Sequence, residues 1–421
     1  DPENYHHEKC QSFLEHFYYL SGDLSENEVY RQIEPKIKSV SPAKKEEKAN
    51  VIFYLAIPPQ AVVPVVQRLD HFNLCQGIFQ SKIIVEKPFG RDKKSARQLN
   101  SQLLQYYREN QIYRIDHYLG KDTVQNIFYF RLSNSIFEPL WNRQYIDYIK
   151  ITVAEKIGIE KRGHFYEQTG VIRDIVQNHA MQLIALIAME PPVSFAPDDI
   201  RDEKVKIFRS IKKMNRVKSQ TVIGQYGPGV IDGEQFPGYR QEENVAPDSA
   251  IPTFFAGRFS IENWRWAGVP FYLLAGKRLA EKLTSIHIQF KYPPMQLLGK
   301  AAEDMQSNAL TLTIQPKEEI FFHMNVKTPG FSQSLHRVKM SFCYDDYFKK
   351  RNYPAYQRLI IDCIRGDLTL FARQDGVEAM WAVVDPITQY WEHHPPVNFP
   401  NYAAGSRGPA EAENLIRKEI R

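Results

Sequence analysis

The sequence predicts two folded parts of different class, an incomplete doubly wound α/β half followed by a larger α+β part with a mostly antiparallel sheet and helices. Three observations carry this. At 421 residues the chain exceeds what one hydrophobic core usually supports, so two domains are expected. Up to Gly120, short apolar runs alternate with segments whose apolar residues recur at helical spacing, the rhythm of strands joined by crossover helices. From about Asp147 the texture changes to alternation, the pattern of antiparallel strands with one buried face.

Taken in order, Val51 to Ile57 is a continuous apolar run stopped by Pro58-Pro59, which reads as a buried parallel strand with a neighbour on either side. Val62, Val65, Val66 and Leu69, between Ala61 and Phe72, supply the crossover helix. A second strand follows at Lys82 to Glu86. Asp92 to Asn110 gives another helix, with Asp92 as N-cap and Leu99, Leu103 and Leu104 on one face. The short run Gln111-Ile112-Tyr113 closes this half, and the boundary is expected at Leu119 to Asp122, dividing the chain into 1–120 and 121–421. Beyond it Ile149, Ile151 and Val153 share one phase, as do Ile286, Ile288 and Phe290, then Leu310, Leu312 and Ile314, then Val338, Met340 and Phe342. Helices are expected at Gly170 to Met189 and Pro354 to Arg365.

Composition excludes several classes. Hydrophobic residues are 43% and charged residues 24%, as in ordinary globular chains. The net charge of +5 is spread, with only short clusters such as Lys44-Lys45 and Lys349-Lys350-Arg351, whereas a nucleic-acid binder concentrates its cations on one stripe. The lysine-rich Ser41 to Lys48 reads as a solvated loop. Cys10, Cys75, Cys343 and Cys363 form no CxxC pair and no zinc spacing with histidine, so a reduced, cytoplasmic setting and no metal are expected. The richest apolar run, Met181 to Met189, is interrupted by Gln182 and falls short of the roughly 18 residues a membrane span needs. The opening DPENYHHEK is too polar for a signal peptide.

The chemistry concentrates in Arg114-Ile115-Asp116-His117-Tyr118-Leu119-Gly120-Lys121 and in Gly170 to His179, GVIRDIVQNH. The first places a carboxylate, an imidazole, a phenol and an ammonium at a strand end, where an open α/β sheet keeps its ligand crevice; an ordinary polar loop is the competing reading. In the second, Asp174, Gln177 and Asn178 lie three and four apart on a segment otherwise apolar, a polar stripe that wants a partner. His179, four residues after Ile175 and four before Leu183, is by spacing a core histidine. Glu155 ends the apolar phase of Ile149, Ile151 and Val153, so it stands either at a sheet edge or in a cleft.

These stretches resemble the signatures of the glucose-6-phosphate dehydrogenase family. The likeness extends to Ile84-Val85-Glu86-Lys87-Pro88-Phe89-Gly90, Asp202-Glu203-Lys204-Val205-Lys206, Gly268-Val269-Pro270 before Ala275-Gly276-Lys277, and Gly405-Ser406-Arg407-Gly408-Pro409. The resemblance implies a Rossmann-like coenzyme domain beside a domain for substrate binding and oligomerisation, as a homodimer or homotetramer. It implies oxidation of D-glucose 6-phosphate to 6-phospho-D-glucono-1,5-lactone with NADP+, the first step of the oxidative pentose phosphate pathway. It makes His179 the general base and Asp116 its orienting carboxylate. It assigns the substrate to His117, Tyr118, Lys121, Lys87, Glu155, Asp174, Lys277 and Lys282, and the coenzyme to Ala56, Pro58, Pro59 and Lys87. Lys87 precedes a proline, so that bond can be cis, and Gln315 is matched to the sugar or coenzyme. The competing readings are a catalytically silent sugar-phosphate-binding protein and an interaction scaffold; neither has a use for a base and its carboxylate.

The departure lies at the start. The family opens with a strand and a Gly-x-x-Gly-Asp-Leu turn that lays the pyrophosphate on a helix N-terminus. Ser21-Gly22-Asp23-Leu24 imitates only its tail, and Tyr19 stands where the first glycine belongs, so the stretch reads as a decoy. The expectation is a coding segment before Asp1 carrying that turn. Residues 1–421 alone should then keep sugar-phosphate binding and fail to bind NADP+, and calorimetry decides this: micromolar NADP+ binding would show the pyrophosphate site to be present already.

Overall fold

The apolar run stopped by two prolines forms the first strand, and the prolines start the helix behind it, since a proline at the first helical position gives up a donor that has no partner there anyway. The computed structural model describes residues 7–40, 48–76, 79–295, 297, 305–331, 334–348 and 353–417. Residues 41–47 of the loop expected at Ser41 to Lys48, and the basic cluster at 349–351, lie outside the described residues. Two compact units emerge, 1–86 with 98–113, and 87–97 with 114–421.

The first part of the chain runs α1 (His7–Leu14), α2 (Asn27–Val40), β1 (Asn50–Leu55), α3 (Pro59–His71), β2 (Gln80–Val85), α4 (Lys93–Leu103) and β3 (Ile112–Arg114), with sheet order β1-β2-β3. β1 and β2 are parallel, from Asn50 opposite Gln80 to Leu55 opposite Val85. α3 buries Val62, Val65, Val66 and Leu69 as its spacing requires. Asp92 caps α4, its Oδ1 accepting the Ser95 N–H at 2.7 Å. One expectation fails here. α4 stops at Leu103, so Leu104 leaves the apolar face and is exposed. Among the described residues β1 pairs with β2 alone, and only its Leu55 is buried. Ser21 to Leu24 belong to no helix or strand, and the first strand comes after them.

The second unit continues with α5 (Asp122–Ser133), β4 (Ile146–Ala154), α6 (Gly163–Val171), a π-helix (Ile172–Ala180), α7 (Met181–Ala188), α8 (Pro197–Ser210) and α9 (Val217–Gln220). Then come β5 (Thr221–Gly224), β6 (Tyr226–Gly227), β7 (Gly229–Ile231), β8 (Glu234–Phe236), β9 (Phe254–Ser260), β10 (Pro270–Gly276), β11 (Leu283–Phe290), β12 (Ala309–Gln315), β13 (Glu319–Lys327) and β14 (Leu335–Cys343). The chain closes through α10 (Tyr344–Tyr347), α11 (Ala355–Arg365), α12 (Gln374–His393), β15 (Tyr402–Ala403) and α13 (Ala410–Arg417). Eight strands form one sheet, β14-β13-β12-β11-β4-β10-β9-β5, in which only the β4–β10 pairing is parallel. The phases of Ile149 with Ile151 and Val153, Ile286 with Ile288, and Leu310 with Leu312 and Ile314 are buried as expected. The phase of Val338, Met340 and Phe342 is not: β14 is the sheet's last strand, and Met340 is exposed.

α7 is buried along its whole length, and that burial leaves terminal carbonyls that water cannot reach. Buried side chains meet them. Arg131 donates to Leu186 O and Met189 O, each at 3.0 Å, Trp141 Nε1 to Ile187 O at 2.8 Å, and Trp266 Nε1 to Ala188 O at 2.7 Å. Fixing this end of α7 fixes the π-helix that feeds it. Trp266→Phe, which orphans the Ala188 carbonyl, should lower unfolding stability by about 1–3 kcal/mol in urea titrations; an unchanged midpoint would show that the carbonyl has another donor.

Candidate active site

The segment GVIRDIVQNH enters the site through an unusual backbone. Gly170 has φ 57 and ψ −179, a region essentially closed to residues with a Cβ. The chain then winds as a π-helix from Ile172 to Ala180. Such a turn bonds i to i+5, so residues five apart share a face. Asp174 and His179 are five apart, and both turn to one cation. Lys87 Nζ lies 3.1 Å from Asp174 Oδ1, 3.0 Å from the Asp174 carbonyl and 3.0 Å from His179 Nε2. α-helical spacing, which groups Asp174 with Gln177 and Asn178, misses this pairing. Lys87 comes shortly after the end of β2 and is joined to Pro88 by a cis peptide bond.

The other imidazole nitrogen, His179 Nδ1, lies 2.5 Å from Asp116 Oδ1. Because an ammonium only donates, Nε2 must accept from Lys87, which leaves the proton on Nδ1 to be donated to the carboxylate. Asp116 Oδ1 also accepts the Tyr118 N–H at 3.0 Å. His179 and Asp116 are each 3% exposed, which decides their charge states. Burial pushes the imidazole's pKa down and outweighs the pull of Asp116. Burial pushes the carboxyl up, yet His179, then His117 and Lys87, hold it well below the usual range. The result is a neutral base on an ionised carboxylate. Tyr118 stacks on the His179 ring at 4.2 Å and His117 meets it edge-on at 4.4 Å. The His117 imidazole is driven down to about 3, first by burial and then by His179, so it serves as a neutral donor or acceptor.

Two further groups complete the site. Lys277, 1% exposed, is paired with Glu155 and lies 3.8 Å from Asp174 Oδ2, over the Tyr166 ring at 5.4 Å. The strand end of β10 is braced for this: Tyr402 donates to the Lys277 carbonyl at 2.8 Å, and Ser406 of the GSRGP stretch takes the Ala280 N–H at 2.9 Å. On the other side Lys121 Nζ donates to Gln315 Oε1 at 2.6 Å and lies over the Tyr118 ring at 4.4 Å. Gln315 in turn donates to Thr284 Oγ1 at 2.8 Å, which faces the Tyr118 hydroxyl at 3.4 Å. Burial and then Lys282 bring the Lys121 ammonium down to about 8, so it stays charged at neutral pH.

Of the residues singled out in the sequence, Asp116, His117, Tyr118, Lys121, Lys87, Glu155, Asp174, Lys277 and Lys282 all fall in the second unit, and all but Lys282 are at least half-buried. Lys282 is exposed, with its charge within reach of Lys121. Glu155, left open between sheet edge and cleft, is ion-paired and partly buried. Ala56, Pro58 and Pro59 belong to the first unit and stand exposed where β1 ends. Thr284 was missed, although it continues backwards the buried phase of Ile286 and Ile288 and so places a hydroxyl where an apolar side chain belongs. Asp116, His117 and His179 each bring a donor atom within 4.8 Å of the others, but Asp116 Oδ1 and His179 Nδ1 are spent on one another.

Asp174 gives the site a pH signature. Burial raises its carboxyl, but Lys87 and then Lys277 outweigh it and hold the pKa at about 2 against an ordinary 3.8. A depressed folded-state pKa contributes stability above the unfolded value that is lost as pH falls through the folded one, here between 3.8 and about 2. Asp174→Asn should flatten the fall in unfolding free energy across that window, which for one such carboxylate is about 2 kcal/mol. Identical acid slopes for both proteins would remove Asp174 from the ionic network.

Residues 1–126 match the family model described as glucose-6-phosphate dehydrogenase, NAD binding domain, and residues 128–421 the one described as glucose-6-phosphate dehydrogenase, C-terminal domain. The chain is 44% identical to a glucose-6-phosphate 1-dehydrogenase of Chlamydia pneumoniae, over 98% of this chain and 81% of that protein. It is 41% identical to that of Bacillus subtilis, over 97% and 83%. A solved structure of a glucose-6-phosphate dehydrogenase in complex with its substrate glucose-6-phosphate superposes with a TM-score of 0.90 at 34% identity, covering 99% of this chain and 84% of that one. The chain belongs to the glucose-6-phosphate dehydrogenase family.

Proposed function

We propose that this protein oxidises D-glucose 6-phosphate to 6-phospho-D-glucono-1,5-lactone and delivers the hydride to NADP+, as the first step of the oxidative pentose phosphate pathway. The observation that carries the reading is the buried, neutral His179 whose Nδ1–H is committed to Asp116, which leaves Nε2 as the basic atom. The lone pair that accepts from Lys87 is the one that takes the proton from the anomeric hydroxyl. Asp116 then stabilises the imidazolium that forms. Glu155, Asp174 and Lys277 offer acceptors and a donor to the sugar hydroxyls, and Lys121, His117 and Tyr118 offer one cation and two neutral groups to the phosphate.

When bound, the nicotinamide coenzyme accepts the hydride leaving C1, so no metal is called for. Ala56, Pro58 and Pro59 are assigned to it, and their exposure at the end of β1 leaves them open to a ligand, which suits that assignment. Preference for NADP+ over NAD+, a cytoplasmic location and assembly as a homodimer or homotetramer belong to the same reading. No helix among the described residues is long and apolar enough to cross a membrane. A catalytically silent sugar-phosphate binder would need neither a base nor its carboxylate, and the hydrogen bond between His179 Nδ1 and Asp116 Oδ1 supports the catalytic reading instead.

His179→Asn keeps a polar side chain and removes the base. Turnover of glucose 6-phosphate with NADP+, followed at the nicotinamide absorbance band, should fall by about 10²–10⁴ in kcat while KM changes little. A variant that keeps wild-type kcat would refute the assignment of the base.

A further inference from the structure

Thr284 puts a hydroxyl on the buried phase of β11, in line with Ile286 and Ile288, and is 0% exposed. Its partner on β12 is not the one that regular pairing would supply. Ser285 stands opposite Thr313, so an uninterrupted ladder would set Ile314 against Thr284. The register shifts between Thr284 and Ser285, and the residue opposite Thr284 is Gln315. A bulge of this kind re-aims the side chain beside it, and directly opposed residues of an antiparallel pair share a face. The carbonyl of Ile314, the residue passed over, accepts from Thr123 Oγ1 at 3.4 Å.

That shift of one residue builds a chain of polar contacts. Lys121 Nζ only donates, so the oxygen of the Gln315 amide faces it, at 2.6 Å, and the amide nitrogen is turned the other way. The nitrogen donates to Thr284 Oγ1 at 2.8 Å, its one acceptor among the described residues. The same Oγ1 lies 3.4 Å from the Tyr118 hydroxyl. Tyr118 in turn stacks on the His179 ring at 4.2 Å and carries the Lys121 ammonium over its own ring at 4.4 Å. Thr284 therefore fixes which way the Gln315 amide points, and the amide fixes where the Lys121 ammonium stands.

We propose that Thr284 is a positioning residue for the phosphate end of the substrate, acting through Gln315 to hold Lys121 where the phosphate docks. This inference rests on the reading that Lys121 takes the phosphate. Fully buried, Thr284 does not meet the substrate itself. Valine has the outline of threonine without its hydroxyl, so Thr284→Val frees the Gln315 amide to turn and leaves Lys121 charged but unanchored. The base and its carboxylate stay as they are. The loss should therefore fall on binding of the phosphate and not on proton abstraction.

The test measures kcat, KM for glucose 6-phosphate, and the inhibition constant of inorganic phosphate as a competitor, all in the full chain. Thr284→Val should raise KM and the phosphate inhibition constant together, each about tenfold, while kcat falls less than about threefold. Thr284→Ser, which restores the hydroxyl, should return both constants to within about twofold of wild type. In a Gln315→Leu background Thr284→Val should have little further effect on either. Should Thr284→Val fail to fold, Thr284→Ala carries the same cycle. An unmoved phosphate inhibition constant, failure of Thr284→Ser to restore it, or an equal loss with and without the Gln315 amide overturns the proposal. Failure of the underlying reading looks different, because Lys121→Ala would then leave the inhibition constant of inorganic phosphate at its wild-type value.

Discussion

The site depends on how one helix is wound. Between Ile172 and Ala180 the backbone bonds five residues apart, and that register alone brings Asp174 and His179 to the same ammonium, Lys87 Nζ. A π-turn has poorer geometry than an α-turn and persists where its surroundings enforce it. Here both ends are enforced. Gly170 supplies a conformation that a side chain would forbid, with a built Cβ 3.2 Å from Ile251 and 3.3 Å from the Pro252 carbonyl. At the far end the carbonyls of α7 are tied to Arg131, Trp141 and Trp266. The strain of the winding is thus offset by packing that has nothing to do with substrate.

Given that winding, the electrostatics follow. A buried imidazole beside a carboxylate could be charged or neutral, and the outcome turns on whether burial or attraction dominates. Burial dominates at His179, helped by Lys87 on its other side, while against their own burial Asp116 keeps its charge through the hydrogen bond from His179 and the charge of Lys87, and Asp174 keeps its charge because Lys87 and Lys277 face it. Lys87 therefore acts on both partners at once, disfavouring imidazolium and favouring carboxylate. It also fixes the tautomer, since it can only donate.

Much of this was legible in the sequence, and the failures share a cause. Period-two phases located the central strands β4, β11 and β12, and helical spacing located α3, because in each the burial pattern repeats with the backbone. At edges the rule weakens: Met340 on β14 and Tyr54 on β1 are exposed, and each of these strands pairs with a single neighbour among the described residues. His179 read by α-helical spacing as a core histidine, and it is indeed buried; the role proposed for it came from resemblance, not spacing. The Asp174–His179 pairing was hidden because nothing in local composition announces a π-turn. Thr284 was visible as a hydroxyl on a buried phase, yet its contacts with Tyr118 and Gln315 required the sheet's register.

The central claim is that His179 rests as a neutral imidazole with its proton on Nδ1 and its Nε2 basic. Nitrogen-15 NMR of histidine-labelled protein, titrated through neutrality with His179 assigned by substitution, reads this directly. The account predicts an Nδ1-protonated neutral ring that takes a second proton only below the ordinary histidine value of 6.5. A ring that is already imidazolium at neutral pH, or one carrying its single proton on Nε2, would contradict it.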